Sequence, residues 1–252
     1  TFKRSSIDRR SSFFSFRNGV SNNVNYNINI GRNSVDQINF PRQGSNFLLS
    51  LKLSPPYSMF DDIDDYSTLS DQEKFEWVEY YKWKFKATWF SPFTEKLVLA
   101  TRTEFGFLGA YNQDLGVSPF ERFYVGGDGL SGMGYMNDGR ELVALRGYAN
   151  NSISPQTGAT IYNKYTAEIR YALSLNPTST MYAHAFLEAG NAWEKFENFN
   201  PFGVKRSVGV GIKIMLPMIG MMGLDYGWGL DEIPGNSEAN GGQFHFSIGQ
   251  NF

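Results

Sequence analysis

Arg146 is the residue in this 252-residue chain whose type and setting most clearly suggest a specific interaction. It lies in the stretch LRGY at 145–148, inside a long connection that is rich in glycine. A planar guanidinium with five donors suits bidentate contact with a carboxylate, and the pair is stronger where water is excluded. Glu168 and Glu188 lie on the next two predicted strands. We therefore predict that Arg146 latches its loop to these carboxylates.

Catalysis and cofactor binding have little support elsewhere in the sequence. Cysteine is absent and histidine occurs only at His184 and His245, so a thiolate or histidine-rich metal site is not expected. No Ser/His/Asp set is spaced for hydrolysis, and we expect His184 to be a polar side chain on an inner face. Gly127, Gly129 and Gly132 spell G-x-G-x-x-G, but no βαβ unit surrounds them. We predict neither an enzyme nor a cofactor.

The charge of the chain argues against nucleic acid as a partner but leaves open a cation or a protein partner. The formal net charge of −2 gives no basic surface of the kind that nucleic acid requires. The acidic run DDIDD at 61–65 could bind a divalent cation or dock a partner protein. Such a run is more often a solvated loop, and this is the outcome we expect.

Long strands must position these residues, because apolar side chains recur at every second position over unusual lengths. Between 163 and 175 the odd positions are mostly apolar, whereas the even positions include Lys164, Glu168 and Arg170. Glycine and aromatic residues, the latter 16% of the chain, also favour strands. We predict nine strands, near 24–31, 46–53, 79–90, 96–108, 163–175, 180–190, 206–216, 221–230 and 242–252, and a weaker candidate at 11–17.

The strand lengths and connections together predict an all-β, transmembrane antiparallel β-barrel of the outer-membrane type. Tilted strands of about ten residues span a bilayer, and no apolar run reaches the length of a membrane helix. Connections at 91–95, 176–179 and 217–220 are tight, whereas others, such as 54–78 and 109–162, are long. Short turns on one side and long loops on the other are typical of such barrels. A soluble β-sandwich is the alternative, but ionic residues on successive strands disfavour it.

Several motifs, in order along the chain, resemble the BamA-type outer-membrane protein assembly superfamily. They are NSVDQINFPRQG at 33–44, SPFERFYVGG at 118–127, LRGY at 145–148, AEIRYAL at 167–173, FLEAGNAW at 186–193, RSVGVGIKIMLPMIGMMGLDYGWGLD at 206–231 and FHFSIGQNF at 244–252. The ordered set is far more specific than any one motif.

This resemblance implies a particular arrangement of the barrel and its loop. The family's barrel has about sixteen strands preceded by POTRA repeats, so the chain would supply the C-terminal nine or ten strands. The loop at 109–162 would fold into the lumen, with Arg146, Gly147 and Tyr148 at its tip. Its arginine would pair with Glu168 and Glu188, the second standing where many members carry aspartate. We expect Arg146→Ala to reduce stability or activity, and a charge-reversed Arg146→Glu with Glu168→Arg to restore part of it.

The resemblance also implies a function in the bacterial cell outer membrane. The expected role is the central subunit that folds and inserts β-barrel proteins without nucleotide. Its partners would be unfolded outer-membrane proteins, periplasmic or lipoprotein accessory subunits, and outer-membrane lipids. A related polypeptide exporter, TamA-like or of the two-partner secretion type, is the alternative, and a passive porin is disfavoured because the loop would plug the lumen.

The last strand would form a weak seam with the first strand of the barrel, where an incoming strand could pair by β-augmentation. Its predicted residues are Phe244, Phe246, Ile248, Gly249 and Phe252. Gly249 would weaken the ladder and let the chain bend inward, although an ordinary close-packing glycine is the alternative. Phe252 would serve as the terminal aromatic residue of an assembly signal.

Overall fold

The computed structural model describes residues 2–8, 18–61, 63, 65–129, 140–176, 179–236 and 238–249. These residues form thirteen strands and almost no helix. The strands are β1 (Phe2–Asp8), β2 (Asn18–Val24), β3 (Tyr26–Asn33), β4 (Gly44–Leu53), β5 (Tyr81–Pro92), β6 (Leu97–Gly109), β7 (Phe123–Val125), β8 (Glu141–Val143), β9 (Ile161–Ser174), β10 (Met181–Trp193), β11 (Lys205–Leu216), β12 (Gly220–Gly229) and β13 (Gly242–Ile248).

Nine strands form one antiparallel sheet in the order β13-β12-β11-β10-β9-β6-β5-β4-β3. They correspond to the nine strands predicted from the sequence, and the prediction of a mostly antiparallel β protein is confirmed. The sheet does not close on itself, so β3 and β13 lie at its edges among the described residues. The weaker candidate strand at 11–17 lies outside the described residues, and β1 and β2 were not predicted as a hairpin.

The two faces of the sheet have opposite polarity, as the alternation predicts. On β9, Glu168 and Arg170 are 3% and 1% exposed, whereas Ile169 between them is 49% exposed. Leu187 on β10 and Phe244 on β13 are likewise exposed on the apolar face. A soluble sheet buries its apolar face, so this inverted pattern suits an outer face against lipid and a polar inner face.

The connection between β6 and β9 covers much of the inner face and contains structure that the sequence analysis missed. Its strands β7 and β8 pair in parallel and form a separate two-stranded sheet. Phe123 of β7 packs edge-on against Tyr162 of β9, with ring centroids 4.7 Å apart. Three-residue strands are too short to give a periodic signal, which explains the omission.

Two other connections fold onto the sheet or extend from it. The connection at 34–43 turns back inward, so that Phe40 is buried with its ring centroid 5.3 Å from that of Tyr182 on β10. The connection at 54–80 pairs with β2 through Asn22 and contains a short helix, Asp71–Lys74, with a capping box. Within the described part of the chain, no helix is long and apolar enough to cross a membrane.

Candidate functional site: the Arg146 cluster

Arg146 lies at the tip of the inner loop and contacts carboxylates from three strands. Its Nη2 donates to Oε1 of Glu168 and to Oε1 of Glu188, both at 2.8 Å, and its Nη1 donates to Oδ2 of Asp225 at 3.2 Å. The Arg146 backbone N–H donates to the second oxygen of Glu188 at 2.9 Å. The structure therefore brings together the three residues that the sequence analysis paired, Arg146, Glu168 and Glu188, and adds a fourth.

Arg146 divides its contacts among carboxylates and makes a bidentate contact with none of them. Glu168 and Glu188 lie on the neighbouring strands β9 and β10, about 4.8 Å apart, and Asp225 lies on β12, beyond β11. The guanidinium reaches one oxygen of each carboxylate. Arg170 also binds Glu168, with its Nε at 2.9 Å and its Nη2 at 2.6 Å both donating to the same oxygen, Oε2.

The cluster is nearly removed from solvent, with the Arg146 side chain 9% exposed and those of Glu168, Glu188 and Asp225 at 4% or less. Burial disfavours the charged guanidinium, but the three carboxylates outweigh this and hold the pKa of Arg146 above its ordinary value. Lys164 and Arg170 supply further positive charge, with Lys164 Nζ 3.0 Å from Glu188. Each buried carboxylate thus has a nearby cation, as buried charges require.

The ring of Phe186 completes the site from below, because the guanidinium carbon of Arg146 lies 3.6 Å from its centroid. On the next strand, β11, the inner-face positions beside the cluster include Gly209 and Gly211. A side chain at Gly209 would overlap Phe186, and one at Gly211 would overlap Asp225. These glycines leave the space in which the arginine, the ring and the carboxylate meet.

Gly147 and Tyr148 attach the same loop tip to the last strands. Gly147 has a φ of +86°, and a Cβ there would lie 2.7 Å from the backbone of Trp228 and Gly229, so only glycine fits. Its N–H donates to Nε2 of His245 at 2.7 Å, which requires that nitrogen to be unprotonated. The Tyr148 hydroxyl donates to the carbonyl of Arg206 at 2.5 Å and accepts from the N–H of Asp231 at 3.2 Å.

Sequence reasoning missed Asp225, the contact role of His184, and His245. His184 is more than the polar side chain that was expected, since its Nε2 lies 3.2 Å from Arg146 Nη1 and 2.9 Å from Asp225 Oδ1. The signal was present in the alternation: Leu224 and Tyr226 face outward, so Asp225 between them must face inward. His245 follows in the same way from Phe244 and Phe246.

The predicted seam residues lie apart from the cluster. Phe244, Phe246 and Ile248 are exposed on the apolar face of β13. Gly249 follows the strand with a φ of +64°, and its N–H donates to the carbonyl of Met221 at 2.8 Å. Phe252 lies outside the described residues.

Two other sequence features have local roles where they are described. Asp61 accepts a hydrogen bond from the Tyr66 hydroxyl at 2.6 Å, and Asp65 accepts from the N–H of Ser67 at 2.8 Å. Asp62 and Asp64 lie outside the described residues. Over the ranges that the structure describes, no group of three or more histidine or acidic side chains is arranged to hold a metal ion.

A family model decides the affiliation of the chain. The model of the Omp85 superfamily domain matches residues 4–252. The chain belongs to the Omp85 superfamily. The match begins before Asn33, where the sequence motifs begin, and it places this Omp85 protein in the bacterial outer membrane.

Comparison with solved structures supports the same fold. BamA from Haemophilus ducreyi lacking POTRA domains 1-3 matches with a TM-score of 0.62 and 19% sequence identity. The match covers 91% of this Omp85 chain and 42% of the BamA chain, so the chain spans less than half the length of that relative. No curated protein matches the sequence significantly.

Proposed function

We propose that this Omp85 domain is part of the central subunit that folds and inserts β-barrel proteins into the outer membrane. Membership of a family of outer-membrane insertion and export proteins supports the general role. The substrates would be unfolded outer-membrane proteins, and the partners would be accessory subunits and the surrounding lipids. The domain would act without catalytic residues and without nucleotide, as a template for folding.

The observation that carries this proposal is the weakness of β13. It has seven residues, against thirteen in β10 and fourteen in β9, so it offers a short ladder to any neighbour. The last ladder pair between β13 and β12 in the described part of the chain is Ile248 with Met222, and Gly249, in the left-handed region, follows it. A short edge strand exposes unpaired N–H and C=O groups, to which an incoming strand can add by β-augmentation.

The energy for insertion would come from the substrate itself. An unpaired backbone N–H or C=O group costs free energy in lipid. A strand therefore avoids this cost if its backbone is paired before or as it enters the bilayer. Burial of the outward apolar residues of each new strand then adds about 25 cal/mol for each Å² removed from water. A template edge at the membrane would lower the barrier to this process, and no nucleotide is needed.

Depletion of the complete protein in its own bacterium tests the proposal. We expect bulk outer-membrane barrel proteins to fall together, because an insertase serves many clients. The measurement is the abundance of several unrelated barrels in isolated outer membranes, with an inner-membrane protein as the control. Normal levels of all these barrels after depletion would refute the insertase.

A polypeptide exporter is the second candidate, supported by the superfamily, which includes export proteins. An exporter would serve few clients, so depletion would abolish the secretion of one or a few proteins and leave the bulk barrels unchanged. The same experiment therefore separates the two functions.

A further inference from the structure

The inner loop has a second set of ionic contacts, made with β4 and β5, which lie beyond β6 from the Arg146 cluster. Glu121 precedes β7, and its carboxylate lies 2.5 Å from Lys52 Nζ on β4 and 3.3 Å from Lys82 Nζ on β5. Glu141 on β8 lies 2.7 Å from Lys82 Nζ and 2.8 Å from Lys84 Nζ. Here the loop supplies carboxylates and the wall supplies cations, the reverse of the Arg146 cluster.

These contacts have the features of a built site. Lys82 is shared by both carboxylates, its side chain is 2% exposed, and its ammonium also donates to the backbone carbonyl of Glu121 at 2.7 Å. The same ammonium lies 4.5 Å from the ring centroid of Phe123. A buried ammonium group must be compensated by opposite charge or hydrogen-bond acceptors. All the groups named here that compensate Lys82 belong to the loop.

Glu121 is held in a backbone conformation that its side chain does not favour. Its φ is +67°, in the left-handed region, where non-glycine residues are uncommon and strained. Burial opposes ionisation of its carboxyl, but Lys82 and Lys52 outweigh this and hold the pKa of Glu121 below its ordinary value. The strained residue of the loop is thus also the one whose carboxylate contacts β4 and β5.

We propose that Glu121 and Glu141 are positioning residues that form a second attachment, so that the loop acts as a brace across the inner wall. One end binds β4 and β5 through the three lysines, and the other binds β9, β10, β12 and β13 through Arg146 and Gly147. The brace thus joins strands near the two edges of the nine-stranded sheet and sets their separation. This inference rests on the proposed function in one respect: the brace is taken to position β13, the seam strand.

The opposite polarity of the two attachments also fixes the orientation of the loop. If the two ends exchanged places, loop carboxylates would face Glu168, Glu188 and Asp225, and Arg146 would face lysines. Like charges brought together in a poorly solvated lumen are strongly unfavourable. The charge pattern therefore favours the observed orientation of the loop over the reversed one.

The test uses the complete protein in lipid nanodiscs and measures the separation that the brace sets. Spin labels are placed on the outer face at Leu49 of β4, whose cross-strand partner Ile30 is 58% exposed, and at Leu224 of β12. Their distance distribution is recorded by double electron–electron resonance. The test variant is Glu121→Gln with Glu141→Gln, which keeps side-chain shape and removes both charges. The matched control is Glu104→Gln, which neutralises an inner-wall carboxylate whose partner is Arg102, 3.8 Å away.

We expect the double variant to broaden and shift the distance distribution, and the control to leave it unchanged. Assembly activity should fall by about fivefold or more, the lower end of typical coupling between sites. An unchanged distribution in the double variant would overturn the brace. If the double variant fails to fold, Lys84→Gln removes one exposed partner of Glu141 and should give a smaller broadening, whose absence would also overturn the brace.

Failure of the proposed function gives a different pattern. If the protein were an exporter, the distance distribution would still respond to the double variant, but insertion of barrel proteins would be absent in every variant, including the unaltered protein. The distance measurement therefore tests the brace, and the insertion assay tests the function.

Discussion

The two attachments of the inner loop differ in burial as well as in charge. At the Arg146 cluster every ionic side chain is 9% exposed or less, whereas at the lysine site Lys52 and Lys84 are 25% and 40% exposed. Water can therefore replace the contacts of Lys52 and Lys84 if they break, although Lys82 between them is only 2% exposed. Water cannot easily reach the first attachment. Truncating one partner of a buried ion pair costs far more than truncating an exposed one, because the remaining charge stays buried.

This difference assigns distinct properties to the two ends of the loop. The Arg146 end should behave as a permanent part of the folded wall, and its loss should affect stability. Loss of the exposed contacts of Lys52 and Lys84 should affect the position of the loop more than the stability of the barrel. The following predictions test this contrast, beginning with the largest expected effect.

Arg146→Ala should destabilise the complete protein by about 3–5 kcal/mol, the usual cost of leaving buried charge uncompensated. Glu168, Glu188 and Asp225 would lose their shared partner. The measurement is the unfolding midpoint in urea, followed by heat-modifiability on gels. Arg146→Lys is the control, since it keeps the charge and loses the planar fork, and we expect it to recover only part of the loss. Wild-type stability in Arg146→Ala would show that the cluster is not an anchor.

The charge-reversed pair, Arg146→Glu with Glu168→Arg, should not rescue the protein, contrary to the expectation from the sequence. The new carboxylate would face Glu188 and Asp225, and the new guanidinium would lie beside Arg170. Reversing two members of a larger cluster creates like-charge contacts. Stability of the double variant above that of Arg146→Ala would contradict the cluster geometry.

Gly147→Ala should cost about 2–3 kcal/mol, because a left-handed φ is strained for alanine and its Cβ meets the backbone of the last strands. The expected result is a lowered unfolding midpoint together with faster proteolysis of the loop. Gly116→Ala is the matched control, since that glycine has a φ of +79° but nothing within 4 Å of an added Cβ. Equal effects at the two positions would mean that backbone strain alone matters at Gly147.

Glu188→Asp should cost about 1–2 kcal/mol, the value of one charge-assisted hydrogen bond. The shorter side chain can keep the contact with the guanidinium or the contact with the Arg146 backbone N–H, each now at 2.8–2.9 Å, but not both. A comparison of unfolding midpoints with Glu188→Gln separates the effect of length from that of charge. No loss in Glu188→Asp would mean that the loop adjusts to the shorter arm.

Gly249→Ala should have the smallest effect on stability, about 1 kcal/mol, because nothing lies near the added Cβ and only the left-handed φ is penalised. If the bend after β13 serves the seam, insertion activity should nevertheless fall. The measurement is insertion rate at matched protein levels, compared with Gly235→Ala, whose φ is +79° and whose surroundings are also open. Equal activity of both variants and the unaltered protein would remove Gly249 from the seam hypothesis.

Much of the fold could be predicted from local patterns. Alternation of apolar and polar residues located the nine strands of the sheet. A strand with one face in lipid and the other in a polar lumen must alternate apolar and polar side chains along its length. The same rule, applied to β12 and β13, would have placed Asp225 and His245 on the inner face. The pairing of Arg146 with Glu168 and Glu188 also followed from residue type and facing.

The sequence by itself determined which residues face inward, which face outward, and that a glycine-rich loop carries an arginine for which inner carboxylates are available. Only the tertiary structure decided how these residues combine. The sharing of one guanidinium among three strands, the seating of Gly147 against the backbone of β12, and the second attachment at Lys82 join residues that are distant in sequence. Their separations run from 22 positions for Arg146 and Glu168 to 98 for Gly147 and His245. Local periodicity fixes the facing of a side chain, but the path of a long irregular loop depends on contacts that form only when the sheet curves around it.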